Sequence, residues 1–435
     1  MTKLMKTLRH TKYYLRALVK WVTLAVLIGF CCGVVGVLFH LGVEWATEYR
    51  ETHTFLLWLL PLAGLAIVGF YKLTKTEGQG TDDIIDAVRM GKSLSILLLP
   101  AIFVGTILTH LCGGSAGREG AALQMGGDIG YHMGLLFRMD DRDMRTATLC
   151  GMAAFFSALF GTPLTATVFA MVVISVGVLY HAAFIPCFIA SLVAYGISVW
   201  VGVSPTQFTV TAPALDPPTL LRVAALGALC ALVAVLFCNV LRVTGEFLRK
   251  HIQNPWLRVV CGGFLIIGLS YLVRTSDYNG VGMDVIQRAV EEGTASPAAF
   301  LLKILFTAIT LGAGYKGGEV VPSFFVGATF GCVAGPLLGL PAGFSAAVGL
   351  VAVFCASVNC PVASIFLSVE LFGSAGVLYF ALACGISYML SGYNGLYSSQ
   401  TILYSKLKAQ YINARTNSYH AGDVPPDHSD LRTRE

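Results

Sequence analysis

The sequence predicts an all-α polytopic membrane protein built from two inverted-topology repeats with broken helices. Three observations predict it. The 435-residue chain is 56% hydrophobic and only 12% charged, with a mean hydropathy of +0.73. A soluble domain carries about twice that charged fraction. Apolar stretches long enough to cross a bilayer recur along it, and three glycine- and proline-bearing blocks appear twice in the same order.

The apolar stretches lie at 21–40, 55–71, 96–112, 181–201, 220–240 and 375–390. Each is near the roughly 20 residues that a spanning helix needs. Apolar segments continue to position 405, which excludes an isolated signal peptide. Lys3, Lys6, Arg9, Lys12, Arg16 and Lys20 precede the first span. This basic cytoplasmic segment, 1–20, puts the N-terminus inside by the positive-inside bias. Basic flanks facing anionic lipid also account for the net charge of +5 without a nucleic-acid partner. The twelve cysteines sit mostly in apolar runs and form no Cys-x-x-Cys pair, so they read as small packing residues.

The repeat is read from its blocks. Gly80-Thr81-Asp82-Asp83-Ile84-Ile85-Asp86-Ala87-Val88 resembles Gly282-Met283-Asp284-Val285-Ile286-Gln287-Arg288-Ala289-Val290. Gly117-Arg118-Glu119 matches Gly317-Gly318-Glu319. Gly151, Ala154, Phe156, Ala158 and Pro163 match Gly349, Ala352, Phe354, Ala356 and Pro361. Ordered recurrence at a near-constant offset marks internal duplication. It predicts an N-terminal transmembrane repeat at 21–202, a linker at 203–219, a C-terminal transmembrane repeat at 220–413 and a disordered cytoplasmic tail at 414–435. Inverted repeats place the substrate near the midplane, at interrupted helices.

The interrupted blocks carry charge. Glycine before a helix lets a backbone approach a ligand, and the free N–H groups of a helix start attract anions. The blocks at 113–120 and 312–318 each precede an apolar helix, beginning near Ala121 and Pro322. Converging helix starts hold an anion without a full positive charge, so it can also leave. Glu119 at such a start is either a plain helix cap paired with Arg118 or a carboxylate that competes with the anion for N–H groups. Lys316 and Glu319 form either a structural pair or part of the path. Glu370 is either a buried structural acid or a proton-path acid. Tyr397, after the last span, is either an interfacial anchor or a hydroxyl donor to an anion.

At this point the chain resembles the CLC family of chloride channels and anion/proton antiporters, over about residues 15–410. Gly117-Arg118-Glu119-Gly120 resembles the family's G-[RK]-E-G-P signature, with Ala121 in place of proline. Gly318-Glu319-Val320-Val321-Pro322 falls where the family has G-x-F-x-P. Gly395-Leu396-Tyr397-Ser398 resembles the final helix with its central tyrosine. Gly78-Gln79-Gly80-Thr81-Asp82 is a relic of G-S-G-I-P, with Gln79 replacing the anion-coordinating serine. The internal proton glutamate of chloride antiporters falls near Val172 or Val173, where no acid stands. This combination is similar to the fluoride-exporting branch, CLC-F.

The resemblance implies a CLC fold, a homodimer with contact helices near 181–201 and 375–390, and a bacterial plasma (inner) membrane location. It implies fluoride and protons as transported species, with Glu119 as the gating glutamate. The anion-binding set is then Gly117, Arg118, Gly120, Ala121, Val320, Val321 and Tyr397. Val321 stands where some members have threonine, and no methionine accompanies the first signature. The alternative is a chloride-selective transporter or a passive chloride channel. An enzyme is disfavoured, since no paired acids, metal spacing or Ser-His arrangement appears, and no cofactor or metal is expected.

Overall fold

The computed structural model describes the backbone of residues 2–408 and 410–417, with side chains from residue 14 onward. The first half holds α1 (Thr2–Thr52), α2 (Leu60–Leu73), α3 (Thr81–Met90), α4 (Leu98–Leu111), α5 (Glu119–Leu136), α6 (Asp141–Phe160), α7 (Pro163–Val172) and α8 (Phe184–Val201). The second holds α9 (Pro217–His251), α10 (Pro255–Val273), α11 (Met283–Gln287), α12 (Ala299–Ala313), α13 (Val320–Leu337), α14 (Ala342–Val358), α15 (Pro361–Phe372) and α16 (Val377–Leu390). The two series correspond helix for helix.

Local chemistry repeats with them. α6 ends on Gly161 and α14 on Asn359, both in the left-handed region at φ 70° and 58°. Two residues later Pro163 and Pro361 open α7 and α15 from a first-turn position. A left-handed stop followed by proline breaks a long apolar run into two helices.

Equivalent helices end on opposite sides. Arg50 near the end of α1 lines the same vestibule as Ser276 and Asp277, which follow α10. Arg249 near the end of α9 lines a different vestibule, together with Glu77 beyond the end of α2. The halves are therefore inverted relative to one another. Within each half the central pair packs backbone against backbone. A Cβ on Gly151 would run into the Gly126 carbonyl, and one on Gly349 into that of Gly327. Small residues allow such close approach where apolar burial against lipid drives little.

Six helical segments among the described residues are long and apolar enough to cross a bilayer, including Pro255–Val273 and Val320–Leu337. Pro255–Val273 was not among the expected stretches, whereas Val320–Leu337 is the apolar helix expected from near Pro322. Conversely, 96–112 and 375–390 prove shorter than expected: α4 and α16 have 14 residues each. At about 1.5 Å per residue they cover about 21 Å of a core about 30 Å thick.

A small sheet adds to the helices. β1 (Ser175–Val176) pairs in parallel with β2 (Thr401–Tyr404), which pairs antiparallel with β3 (Tyr411–Arg415). Residues 414–417, expected in a structureless tail, thus belong to β3 and the turn after it. The remainder of that tail, 418–435, and the side chains of Lys3, Lys6, Arg9 and Lys12 lie outside the described residues. All twelve cysteines are free thiols.

Glu370 has a structural task. Its two carboxylate oxygens accept the N–H groups of Leu164 and Thr165 at 2.9 and 2.8 Å, closing the start of α7 from α15. Glu370→Ala strands both donors. It is expected to cost about 1–3 kcal/mol, read as a lower thermal unfolding midpoint in detergent, while the proton-to-anion ratio stays unchanged.

Candidate functional site

The two glycine-charge loops meet at the centre of the molecule. Gly117 and Gly318 exchange reciprocal N–H···O bonds of 2.7 Å, an isolated antiparallel bridge between the halves. Each flanking loop is tied by a threonine of the opposite half. Ser115 N–H donates to Thr310 Oγ1 at 3.0 Å, and Lys316 N–H to Thr109 Oγ1 at 3.2 Å. Thr109 and Thr310 stand six residues before their partners' equivalents in both repeats, a signal that the block comparison passed over.

The bridge sets α5 and α13 start to start. The first N–H groups of each have no intrahelical acceptor. Glu119 is fully buried between them. Its Oε2 accepts the Arg118 N–H at 2.9 Å, and the N–H groups of Glu119 itself and of Val321 also face the carboxylate. Oε1 has no hydrogen-bond partner and lies 3.7 Å from Arg118 Nε. The carboxylate thus sits where the starts of two helices offer donors from both repeats.

Two vestibules approach this point from opposite sides. One, of about 620 Å³, is lined by Gln79, Gly80, Thr81, Asp82, Lys316, Gly317, Glu319 and Tyr397 among others. The other, of about 470 Å³, is lined by His40, Glu44, Arg50, Arg118, Asn279 and Asp284 among others. Arg118 and Glu319 open into different vestibules.

The expected anion-binding residues divide accordingly. Val320, Val321, Gly120 and Ala121 are buried at the two helix starts, as the blocks suggest. What they can offer there is backbone N–H. Gly117 is different: its N–H is consumed by Gly318, so in this conformation it is no free donor. Arg118 contributes a backbone N–H to the Glu119 carboxylate. Its guanidinium turns into the second vestibule, where Nη1 lies 2.8 Å from His40 Nδ1.

Tyr397 is 2% exposed, so it is no interfacial anchor, and its hydroxyl has no hydrogen-bond partner. The segment carrying it is irregular rather than a final helix. Lys316 and Glu319 form no ion pair with each other. The Lys316 ammonium stands 4.1 Å from the centre of the Tyr71 ring, and Glu319 Oε2 is buried without a partner.

The sequence reading noted Gln79 in the first block but assigned no partners to Thr81 or Asp82. Gln79 Oε1 is buried without a partner, Thr81 accepts from Gln124 at 2.9 Å, and Asp82 accepts the Ser399 N–H at 2.9 Å. Through Asp82 the start of α3 fixes the loop that carries Tyr397.

Comparison with known proteins agrees with this architecture. Residues 63–392 match the voltage gated chloride channel family. A chloride/fluoride channel protein of Pseudomonas syringae pv. tomato is 36% identical over 89% of this chain and 87% of its own. An H(+)/Cl(-) exchange transporter ClcA of Vibrio vulnificus is 28% identical over 91% of this chain and 92% of its own. The crystal structure of a CLC-type fluoride/proton antiporter superposes with a TM-score of 0.86 at 30% identity, covering 88% of this chain and 98% of that one. A eukaryotic CLC transporter shares the fold, with a TM-score of 0.68 at 18% identity over 87% and 72%. With a family match over most of its length, and with paired helix starts meeting between two inverted halves, this chain belongs to the CLC family of anion channels and transporters.

Proposed function

We propose that the chain is a fluoride/proton antiporter in which Glu119 is the gate. The observation that carries this reading is the placement of one buried carboxylate on N–H donors from both helix starts, between two vestibules. An ionised Glu119 uses the donors that an anion would need. Once protonated, it has no negative charge to hold it there, and a halide takes its seat. Each exchange of carboxylate for halide then moves a proton against an anion.

Fluoride is small and strongly hydrated, so replacing its water takes close, strong donors. The backbone N–H of Val321 and the free N–H groups at the start of α5 supply them, with the unpartnered Tyr397 hydroxyl on the side of the larger vestibule. Val320 and Val321 add no side-chain donor. The absence of an acid at Val172 and Val173 leaves the anion route itself as the proton's route, with Glu319 the next carboxylate along it. The similarity to a chloride/fluoride channel protein and to a fluoride/proton antiporter supports fluoride as the cargo. The membrane is then a bacterial plasma membrane with the start of α1 on the cytoplasmic side. The apolar faces of α8 (Ile185, Leu192) and α16 (Leu378, Met389) are the contact surfaces of a homodimer.

The test is flux from proteoliposomes under an outward fluoride gradient, followed with a fluoride electrode and a trapped pH dye. Fluoride efflux is expected to drive proton uptake, and an equal chloride gradient to drive far less. Equal fluxes of the two halides would sink the selectivity reading and favour a chloride transporter.

A further inference from the structure

We propose that Gln400 is a positioning residue for the Tyr397 hydroxyl, acting through a buried polar clamp that straps the β2–β3 hairpin to the ends of α7 and α14. The proposal rests on the reading of Tyr397 as an anion donor. Its starting point is that Tyr397 has no helix to hold it: residues 391–400 are irregular, yet the residue is buried and lines the larger vestibule. A side chain on an irregular segment points where its anchors make it point.

Gln400, three residues on, is fully buried. Its Nε2 donates to the Val173 carbonyl at the end of α7 (3.0 Å) and to the Val358 carbonyl at the end of α14 (2.9 Å). Its Oε1 accepts from Asn359 Nδ2 at 3.1 Å, and the Thr416 hydroxyl, with one proton to give, lies 3.0 Å from the Gln400 carbonyl oxygen and 3.3 Å from Oε1. Both amide hydrogens and the amide oxygen are thus engaged. A fully satisfied buried amide specifies a single arrangement, because any shift leaves polar atoms unpaired.

The neighbours extend the clamp. Asn359 also donates to the Asn394 carbonyl at 3.1 Å and accepts from Lys406 of the hairpin loop. Asn417, after β3, accepts the Gly395 N–H at 3.0 Å and donates back to the Gly395 carbonyl at 2.9 Å. Leu396 N–H donates to the Ser357 carbonyl at 2.9 Å. Tyr397 is thus bracketed by Gly395–Leu396 on one side and Gln400 on the other, all tied to α14 and β3.

A clamp that only stabilised the hairpin would alter folding and leave anion affinity alone. A positioning clamp alters affinity through the tyrosine and through nothing else. The experiment is fluoride flux in proteoliposomes for Tyr397→Phe, Gln400→Ala, Thr416→Val and the two double variants containing Tyr397→Phe. Tyr397→Phe is expected to raise the apparent KM for fluoride about 3- to 10-fold, the range of one lost hydrogen bond. Gln400→Ala is expected to raise KM by a similar factor with maximal flux retained. Combined with Tyr397→Phe it should raise KM no further, since interacting residues are non-additive. Thr416→Val, which removes one contact at the hairpin side, should follow the same rule with a smaller rise, and it serves if Gln400→Ala does not fold. Multiplying KM effects in the double variants, or an unchanged KM in both Gln400→Ala and Thr416→Val, overturns the positioning role alone. An unchanged KM in Tyr397→Phe overturns the anion role of the tyrosine, and the positioning role with it.

Discussion

Glu119→Gln is expected to let fluoride pass and to abolish its coupling to protons. The amide keeps the size of the side chain, so the helix starts of α5 and α13 retain their packing. It carries no charge with which to hold the N–H groups of Arg118 and Val321 against a halide, and no proton to exchange. In proteoliposomes a fluoride gradient should then produce fluoride efflux with no accompanying proton uptake. The loss should be complete rather than graded, because only one group in the seat is protonatable. Arg118 contributes its backbone N–H to the seat and its Nε lies 3.7 Å from Glu119 Oε1, so Arg118→Gln removes a charge beside the gate but leaves the protonatable carboxylate and the N–H, and should preserve coupling. Coupling that survived Glu119→Gln would move the gate elsewhere, and Glu319 would be the next acid to test.

Gly318→Ala is expected to inactivate transport by driving the two halves apart. A Cβ at Gly318 would overlap the Gly120 backbone N–H and come within 3.0 Å of its Cα and 3.2 Å of the Glu119 N–H. These are backbone atoms, fixed by the helix start, so they cannot step aside as a side-chain tip could. Overpacking of this kind costs about 1–3 kcal/mol where a core can shift. Here the shift opens the bridge to Gly117 and separates the donors that face Glu119. Fluoride flux should fall to the level of protein-free liposomes, while the size-exclusion profile stays that of folded protein with a lowered unfolding midpoint. Gly268→Ala, on α10 and away from the proposed dimer faces, has open space around its Cβ position; it is the matched control and should leave flux unchanged.

Much of this was legible before any coordinates. The duplication could be read because a two-fold arrangement places the same backbone demands twice. Pro163 and Pro361 restart the same helix, as the blocks matched them, but the match of Gly117 with Gly317 was one residue out: the bridge pairs Gly117 with Gly318, and α5 and α13 start at Glu119 and Val320. Glu119 was legible because a charge in apolar sequence needs a reason. Tyr397 could be named but not placed, since exposure at an interface and burial in a vestibule use the same residue type. Its segment was expected to be helical by resemblance, yet Gly392, Asn394 and Gly395 favour the irregular path that the structure takes.

Helix lengths were misread at 96–112 and 375–390, because apolar composition continues past the helix start: Ile96, Leu97 and Ala375 lie outside α4 and α16 and are exposed on the single protomer. The hairpin at 401–415 carried a strand signal in Thr-Ile-Leu-Tyr and Tyr-Ile-Asn-Ala-Arg, but strands of four and five residues say little without a partner. The clamp around Gln400 was beyond sequence reasoning altogether. Its members come from the ends of α7 and α14, the hairpin and the tyrosine segment, and only the fold brings them together.

The most direct measurement is fluoride binding by calorimetry to purified wild type and Glu119→Gln, from mildly acidic to mildly alkaline pH, in buffers of different ionisation enthalpy. Competition for one seat predicts that wild type binds fluoride more weakly as pH rises, because the ionised carboxylate is the competitor. It also predicts about one proton taken up per fluoride bound at alkaline pH, with both effects absent from Glu119→Gln. The same pH dependence in the two proteins, or none in wild type, would contradict a shared seat.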